Sequence, residues 1–387
     1  MRPRRRLALL AVVLAIAAAV YASIPYARAA SFIVRAANLG GRVEAFADAR
    51  AHAVTRQPRH MVPTRAGDVA AQLYTPDRTI GRTVLLVPGI HSLGIEEPRL
   101  TALAGDLAAT GVTVMAMALP DLQRYSITAR SSDVIEDAVG WMAGRPELAP
   151  DGRIGMVGIS FAGGLSIVAA GRPTIRDKVA YVLSFGGHGD LPRVMRYLAT
   201  GVAPEVPGVR AHPPHDYGVA VILYAGADRV VPAEQVEPLR AGVETFLLAS
   251  QLTLVDMDQA NATFARAREM AKALPEPAAT YLTYVNDRNV KALGEVLLPH
   301  LGTYVDPSAS PERAPTSPAA PVFLLHGDDD TVIPAAESVL LGNFLRERGT
   351  EVHVLLSGLI THAEVDRTAA ASETWKLVRF WAGVLRK

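Results

Sequence analysis

The sequence of 387 residues contains no cysteine, and this absence removes several kinds of chemistry at once. Without a thiol, the chain has no disulfide, no thiolate metal site, no cysteine nucleophile and no lipidated cysteine. Lysine is also scarce, with five residues among the 39 basic ones, which we interpret as coding bias rather than chemistry. The sequence contains no internal repeat of solenoid length, so a repeat array is excluded.

The charge balance offers little attraction for a polyanion. The net charge is +1, but five arginines lie in the first 29 residues, so the remainder of the chain carries about −4. This balance argues against a nucleic-acid partner. Hydrophobic residues make up 50% of the chain and charged residues 20%, which suits a sizeable core and excludes a disordered chain. The length allows one large domain or two ordinary ones.

The amino terminus has the pattern of an export segment. Four of the first six residues are arginine, and residues 7–24 form an uninterrupted apolar run of 18 residues. A helix needs roughly 18 to 20 such residues to cross the bilayer core, and the arginines are expected to stay cytoplasmic. Residues 1–29 are therefore either a signal peptide, cut near Ala27-Arg28-Ala29, or a retained membrane anchor, which we favour. Both outcomes place the body outside the cytoplasm, either attached to the inner membrane and facing the periplasm or released.

Beyond an amphipathic helical connector, expected over residues 30–57, strands alternate with helices. Residues 60–64 and 69–74 predict a hairpin. The further strands predicted from short apolar segments are 83–87, 112–118, 154–158, 179–185, 322–325 and 352–356. Strands separated by helices predict a mostly parallel sheet with helices on both faces.

The alternation fails between residues 191 and 319. This segment contains helical stretches and then a proline-rich loop over residues 306–321, with five prolines. Such a run cannot form a helix or a central strand, so we interpret it as a surface loop that returns the chain to the sheet. We therefore predict a core formed by residues 58–190 and 320–387, with a mainly helical cap inserted over residues 191–319.

The strongest chemical motif is the stretch GISFAGG, which runs from Gly158 to Gly164 between an apolar strand and a helix. A sharp strand-to-helix turn strains its middle residue and leaves space only for small residues two positions before and after it, here Gly158 and Ala162. The hydroxyl of Ser160 is then exposed at the carboxyl edge of the sheet, with helix amides directed at it. The alternative is a serine in an ordinary glycine-rich turn. We identify Ser160 as the candidate nucleophile.

A serine nucleophile needs a base, and the base needs an acid that orients it. His362 follows the last predicted strand, where a loop can bring its imidazole over Ser160; the alternative is a loop histidine exposed to water. His188, which follows another strand, is the next candidate, and we expect it to line the pocket instead.

Two similar segments compete for the acid. Residues 322–334 form a strand that runs into the acidic turn Asp328-Asp329-Asp330, and residues 225–232 imitate it with Asp228. Chain order favours Asp330, because 32 residues separate it from His362, enough for one helix and one strand. Asp228 is the main alternative, and the two other aspartates of the acidic turn remain open.

Acyl transfer at serine also needs hydrogen-bond donors for the oxyanion. The amide of Phe161, just after the nucleophile, is one candidate. The amide of Ile90, in the loop over residues 87–92, is the other, and Gly89 permits the tight turn that such a loop needs. The alternative is a plain strand-to-helix loop. His91 in the same loop is a further pocket-lining candidate.

Together these features resemble the α/β-hydrolase superfamily, and they are most similar to bacterial esterases and lipases, dienelactone-hydrolase-like enzymes and serine-aminopeptidase-like hydrolases. The resemblance covers about residues 58–190 and 320–387 and rests on VPGIH, GISFAGG, HGDDDTVIP and the order Ser160, Asp330, His362. It implies an eight-stranded, mainly parallel sheet, a cap over the active site and no cofactor. The chain departs from many members in having Ala162 in place of glycine and Pro88-Gly89 in place of histidine-glycine.

The predicted function is that of a serine hydrolase acting on a small-molecule ester through an acyl-enzyme. His362, oriented by Asp330, removes the proton of Ser160, while the amides of Ile90 and Phe161 hold the oxyanion. Two alternatives stay open: a peptidase or amidase on the same triad, and a catalytically silent, membrane-attached binding protein. A metal-dependent hydrolase is disfavoured because the histidines and acids show no ligand spacing.

Overall fold

The computed structural model describes residues 3–253, 255–360 and 371–387. Its centre is one sheet of nine strands. The strands are β1 (Val54–Arg56), β2 (His60–Thr64), β3 (Gly67–Pro76), β4 (Thr83–Val87), β5 (Thr113–Met117), β6 (Ile154–Ile159), β7 (Val179–Phe185), β8 (Val322–Gly327) and β9 (Val352–Ser357). Their spatial order is β1-β3-β5-β4-β6-β7-β8-β9, and β2 pairs with β3 off this path.

The sheet is parallel from β5 to β9 and antiparallel around β3. Strand β3 runs antiparallel to β1, β2 and β5, whereas the pairs β4–β5, β4–β6, β6–β7, β7–β8 and β8–β9 are all parallel. Every residue of β4 and of β8 is buried, as expected for parallel strands that are covered on both faces. The predicted mostly parallel sheet is confirmed, as is the hairpin of β2 and β3.

The sheet has one strand more than the eight implied by the resemblance. The additional strand is β1, which lies at the edge of the sheet and inside the segment 30–57 that the sequence predicts to be helical. Its three residues are half-buried or exposed, so they show no apolar alternation that would mark a strand. Pairing with β3, rather than local propensity, makes this segment extended.

The helices outside residues 191–319 are α1 (Pro3–Ala36), α2 (Gly41–Asp48), α3 (Pro98–Ala108), α4 (Pro120–Gln123), α5 (Ala129–Ala143), α6 (Phe161–Ala170), α14 (Ala336–Glu347) and α15 (Ala371–Val384). Those inside are α7 (Leu191–Thr200), α8 (Asp216–Val230), α9 (Ala233–Leu252), α10 (Met257–Ala273), α11 (Ala278–Asn286), α12 (Val290–Leu297) and α13 (Leu301–Tyr304). The described part of this inserted segment contains helices and no strand. Its proline-rich end is partly buried rather than wholly on the surface, with Ala309 and Ser310 both 0% exposed.

The carboxyl-terminal half of α1 packs against the body of the protein. The ring of Tyr26 stacks on Trp375 of α15 at 5.7 Å, and Phe32 contacts Trp381 at 4.5 Å. Arg35 forms an ion pair with Asp106 of α3, with Nε and Oδ1 3.3 Å apart. In the part of the chain that the structure describes, no helix combines the length and the apolarity that crossing a bilayer requires.

Candidate active site

Ser160 occupies a strained turn between β6 and α6. Its backbone angles are φ 54° and ψ −132°, and its amide donates to the Phe185 carbonyl at 2.7 Å. A Cβ atom on Gly158 would lie 2.5 Å from the Ala162 carbonyl oxygen, and one on Gly163 would meet the Ser184 hydroxyl. Gly158 is therefore required by the backbone of the turn, and Gly163 by the side chain of Ser184. The strained turn predicted at Ser160 is present. Ser160 is half-buried and lies at the carboxyl end of β6.

The loop after β4 lies directly on this turn. A Cβ atom on Gly89 would be 3.2 Å from the Ser160 Cβ and 3.3 Å from the Ile159 carbonyl oxygen, so the close approach depends on glycine. The next two residues, Ile90 and His91, are half-buried. Phe161 is the first residue of α6, so its N–H has no acceptor within the helix. The two segments predicted to supply oxyanion donors are thus in contact.

His91 takes part in the turn of its own loop. Its Nδ1 accepts a hydrogen bond from the Leu93 amide at 3.2 Å, and its carbonyl accepts from the Gly94 amide at 2.9 Å. Burial lowers the pKa of His91, which favours the neutral imidazole that this acceptor role requires. The observed contacts therefore assign His91 a part in shaping the loop.

Asp330 is buried at the end of β8, with 4% of its surface exposed. Its Oδ1 accepts from the amides of Val332 and Ile333 at 2.8 and 3.0 Å, and its Oδ2 lies 3.4 Å from the Nε2 of His326. A Cβ atom on Gly186, just beyond β7, would be 3.4 Å from the same Oδ2. Because β7 separates β6 from β8, Asp330 and Ser160 lie at the same edge of the sheet, two strands apart.

The other carboxylates considered for the acid are differently placed. Asp328 and Asp329 are exposed. Asp228 lies in α8 rather than at the end of a strand; its side chain is 45% exposed and pairs with Arg229 at 3.3 Å. Of these aspartates, Asp330 alone is buried at a strand end. His362 lies outside the described residues.

His188 lies under α6. It is 0% exposed, its Nε2 is 3.0 Å from the Ala309 carbonyl oxygen, and its ring is 5.6 Å from that of Phe161. A Cβ atom on Gly164 would be 2.4 Å from its Cε1. Burial lowers the pKa of His188 to about 4, so the ring is neutral at pH 7. The sequence predicts a pocket-lining residue here, and the structure places the ring in the packing beneath the nucleophile helix.

A buried ionic cluster fixes the chain just beyond β7. The carboxylate of Glu337 is fully buried and accepts from the amides of Gly189 and Asp190 at 2.9 and 3.0 Å. Arg193 pairs with Glu337 at 2.5 Å and with Glu312 at 2.7 Å. Sequence reasoning missed this cluster, because its members come from α7, α14 and the proline-rich end of the inserted segment and no local pattern connects them.

Sequence reasoning also missed a polar contact on the oxyanion loop. The Ser92 hydroxyl donates to Oε1 of Gln251 at 3.1 Å, and Nε2 of Gln251 donates to the Tyr125 hydroxyl at 3.2 Å. We call these three residues the loop clamp. Ser92 and Gln251 are 159 positions apart, so no local signal could have revealed the contact. Among the described residues, no three histidine or carboxylate side chains are grouped as metal ligands.

No protein-family model matches the sequence, and no curated protein matches it significantly. Solved structures match at low identity. An esterase of Pyrobaculum calidifontis is 15% identical with a TM-score of 0.47, and the match covers 93% of this chain and 90% of that chain. A bacterial heroin esterase is 15% identical with a TM-score of 0.46, covering 86% and 85%. An acylaminoacyl peptidase of Pyrococcus horikoshii is 13% identical with a TM-score of 0.46, covering 90% and 44%.

The architecture itself identifies the fold. Five parallel pairs join the strands from β5 to β9, and a non-glycine residue at positive φ stands between the central strand β6 and the helix that follows it. A serine in such a strand-to-helix turn, at the carboxyl edge of a mostly parallel sheet, is characteristic of one particular fold. By its sheet and by the turn at Ser160, this chain has the fold of the α/β-hydrolase superfamily.

Proposed function

We propose that the protein is a serine hydrolase that cleaves small carboxylic esters through an acyl-enzyme on Ser160. The observation that carries this proposal is the backbone conformation of Ser160, at φ 54°, in contact with the loop of Gly89. A non-glycine residue stays at positive φ only where its surroundings hold it there, and such strain is concentrated at functional sites. In this chain the strained turn presents the serine at the carboxyl edge of the sheet, where the proposed reaction needs it.

The acid is assigned to Asp330 and the base to His362. The two backbone amides that donate to Oδ1 of Asp330 fix the plane of the carboxylate. A fixed, buried carboxylate two strands away from the one that carries Ser160 is suited to orient an imidazole and to stabilise its protonated form. The exposed, ion-paired Asp228 lacks these properties.

The reaction then proceeds in two halves. His362 accepts the hydroxyl proton of Ser160 as its Oγ attacks the acyl carbon, and the amides of Phe161 and Ile90 stabilise the oxyanion. His362 returns the proton to the alcohol as the ester C–O bond breaks, which leaves the acyl group on Ser160. Water, deprotonated by His362, attacks the acyl-enzyme, and a carboxylic acid leaves as Ser160 regains its proton.

The test is labelling of the purified protein with a fluorophosphonate probe, followed by kinetics on a series of p-nitrophenyl esters of increasing acyl length. Ser160→Ala is the informative variant. Ser131→Ala is its matched control, because Ser131 is a buried serine in α5 whose hydroxyl has no hydrogen-bond partner among the described residues. We expect labelling of the wild type and of Ser131→Ala, and none of Ser160→Ala.

Labelling and kinetics, with the matching p-nitroanilides added as substrates, separate the proposal from its alternatives. A folded wild type that takes no probe overturns the enzyme and leaves a silent binding protein. A wild type that takes the probe but cleaves p-nitroanilides faster than the matching p-nitrophenyl esters is a peptidase or amidase on the same residues.

A further inference from the structure

The loop clamp has no part in the mechanism described so far. Its three residues lie in three different elements. Ser92 belongs to the loop after β4, Tyr125 follows α4, and Gln251 lies in the last turn of α9. The amide of Gln251 accepts from Ser92 through its oxygen and donates to Tyr125 through its nitrogen, and Tyr217 of α8 is a further hydrogen-bond partner. Because both ends are engaged, the orientation of this side chain is fixed by two elements of the core.

The clamp acts on the part of the loop that touches the nucleophile. Ser92 is three residues after Gly89, which lies against Ser160, and two residues after Ile90, the proposed oxyanion donor. The carbonyl of Ser92 also accepts from Nε2 of Gln123 at 3.4 Å, so the loop is held through its backbone as well as through its hydroxyl. Over so short a span, a shift of Ser92 moves the Ile90 amide with it.

Tyr125 provides a rigid end for the clamp. It is 3% exposed and has φ 56°, a conformation that a bulky residue adopts only when its surroundings impose it. Its ring lies 5.9 Å from the ring of Tyr224 in α8. Burial raises the pKa of Tyr125, while hydrogen bonds with Ser92 and Gln251 act in the opposite direction. The hydroxyl therefore keeps its proton at neutral pH and can also serve as a donor.

Helix α9 is itself held firmly within the inserted segment. Phe246 of α9 contacts Phe264 of α10 at 5.4 Å between ring centroids, and a Cβ atom on Gly242 would meet the side chain of Leu282 in α11. Gln251 thus projects from the last turn of a helix whose preceding turns are packed against its neighbours. A fixed point on the insertion is thereby connected to the loop that lies over Ser160.

We propose that Gln251 is a positioning residue: through Ser92 it holds the Ile90 amide at the distance from Ser160 that oxyanion stabilisation requires. The inference rests on the proposed function and deepens it. The inserted helices then contribute to the rate of acyl transfer itself, and not only to the choice of substrate.

The proposal makes a specific kinetic prediction. An oxyanion donor acts on charge that develops in the transition state, so a displaced donor lowers kcat while leaving ground-state binding nearly unchanged. For Gln251→Ala with p-nitrophenyl acetate we expect kcat to fall about 10- to 100-fold and KM to stay within about twofold. The rate of fluorophosphonate labelling should fall in proportion, because that reaction also develops charge on the oxyanion.

Three further variants make the test selective. Ser92→Ala should lower kcat as Gln251→Ala does, and the double variant should lose little more, because both single variants remove the Ser92–Gln251 hydrogen bond. Gln251→Glu keeps an acceptor for both hydroxyls and should retain most of kcat. Gln235→Ala is the matched control: Gln235 lies on the same helix, but its side chain bonds to Glu276 and Ala278 within the insertion, at 3.0 and 3.2 Å.

Each outcome decides the matter. A labelled wild type with an unchanged kcat in Gln251→Ala overturns the positioning role and leaves the proposed hydrolase intact. An equal loss of kcat in Gln235→Ala and Gln251→Ala, at an equal fall in melting temperature, also overturns it, because general loosening of the insertion then explains both. A folded wild type that takes no probe overturns the proposed hydrolase and this inference with it.

Discussion

Gly89 packs against the Cβ of Ser160 and the carbonyl of Ile159, and the space there is too small for an ordinary Cβ on Gly89. A Cβ atom at this position would stand 3.2 Å from the Cβ of Ser160, a distance at which one of the two segments has to move by a few tenths of an ångström. The loop after β4 and the turn after β6 therefore form one unit. Catalysis should be sensitive to small changes in the loop that leave the fold intact.

We predict that Gly89→Ala folds normally and loses about 10-fold in kcat, because the added methyl group shifts the oxyanion donor away from the nucleophile. Gly105→Ala is the control, since Gly105 lies inside α3 with no atom within 4 Å of the added Cβ. It should retain full activity and gain up to about 1 kcal/mol in the free energy of unfolding. Ester kinetics and urea denaturation measure both, and an equally active Gly89→Ala would contradict the assignment of the loop.

Asp330→Asn should lower kcat about 10³- to 10⁴-fold without unfolding the protein. The amide oxygen can still accept from Val332 and Ile333, but the charge that stabilises a protonated base is lost. Asp228→Asn should remain as active as the wild type, because Asp228 is exposed on α8. Turnover of a p-nitrophenyl ester distinguishes the two, and the reverse result would transfer the role of the acid to Asp228.

His188 should make the protein less stable in acid. Its pKa is about 4 in the folded state and about 6.5 in the unfolded chain, because burial opposes the charged ring. The nearby Asp190 and Glu312 favour the charged form, and Arg193 and burial oppose it. Below pH 6.5 the unfolded state therefore binds a proton that the folded state does not, and stability falls as the pH falls from 6.5 towards 4.

The measurement is the free energy of unfolding in urea at several pH values. His188 should contribute a slope of up to about 1.4 kcal/mol per pH unit over this range and none above it. His188→Gln cannot gain a proton, so its stability should depend less steeply on pH between 6.5 and 4. Parallel curves for the two proteins would show that His188 is not the group responsible.

The pattern of residues 1–29 predicts export. The arginines before the apolar run resist translocation, so the part of the chain after the run is the part that crosses the membrane. In spheroplasts of a bacterial host, we expect the body to be degraded by added protease. Sequencing the amino terminus then separates the two outcomes: an intact terminus indicates a retained anchor, and a terminus at Ala30 indicates a cleaved signal peptide. Protection from protease in intact spheroplasts, with degradation after lysis, would contradict export.

The candidate site residues whose positions in the fold could be predicted from sequence are those with local steric or chain-order constraints. Ser160 is recognisable because only small residues fit at Gly158 and Ala162, and this constraint is visible within seven residues. Asp330 is recognisable because a buried strand leads into it. Both are properties of a single strand and the turn that follows.

The parts that could not be predicted depend on packing between distant segments. His188 follows a strand as a pocket residue would, but the glycines of α6 admit its ring beneath the helix, and nothing near His188 in the chain indicates this. The contact of Gln251 with Ser92 joins a helix of the insertion to a loop of the core. Strand β1 is set by its partner and not by its own three residues.

The docking of α1 has a practical consequence for any shortened form of the protein. Trp381 is 4% exposed, and one of the rings that cover it is that of Phe32. A protein that began after Ala36 would bare this indole and leave Asp106 without its guanidinium. Newly uncovered aromatic surface promotes self-association. A form truncated to remove the export segment should accordingly begin no later than Ala30, so that it keeps Phe32 and Arg35 and stays dispersed in dilute buffer.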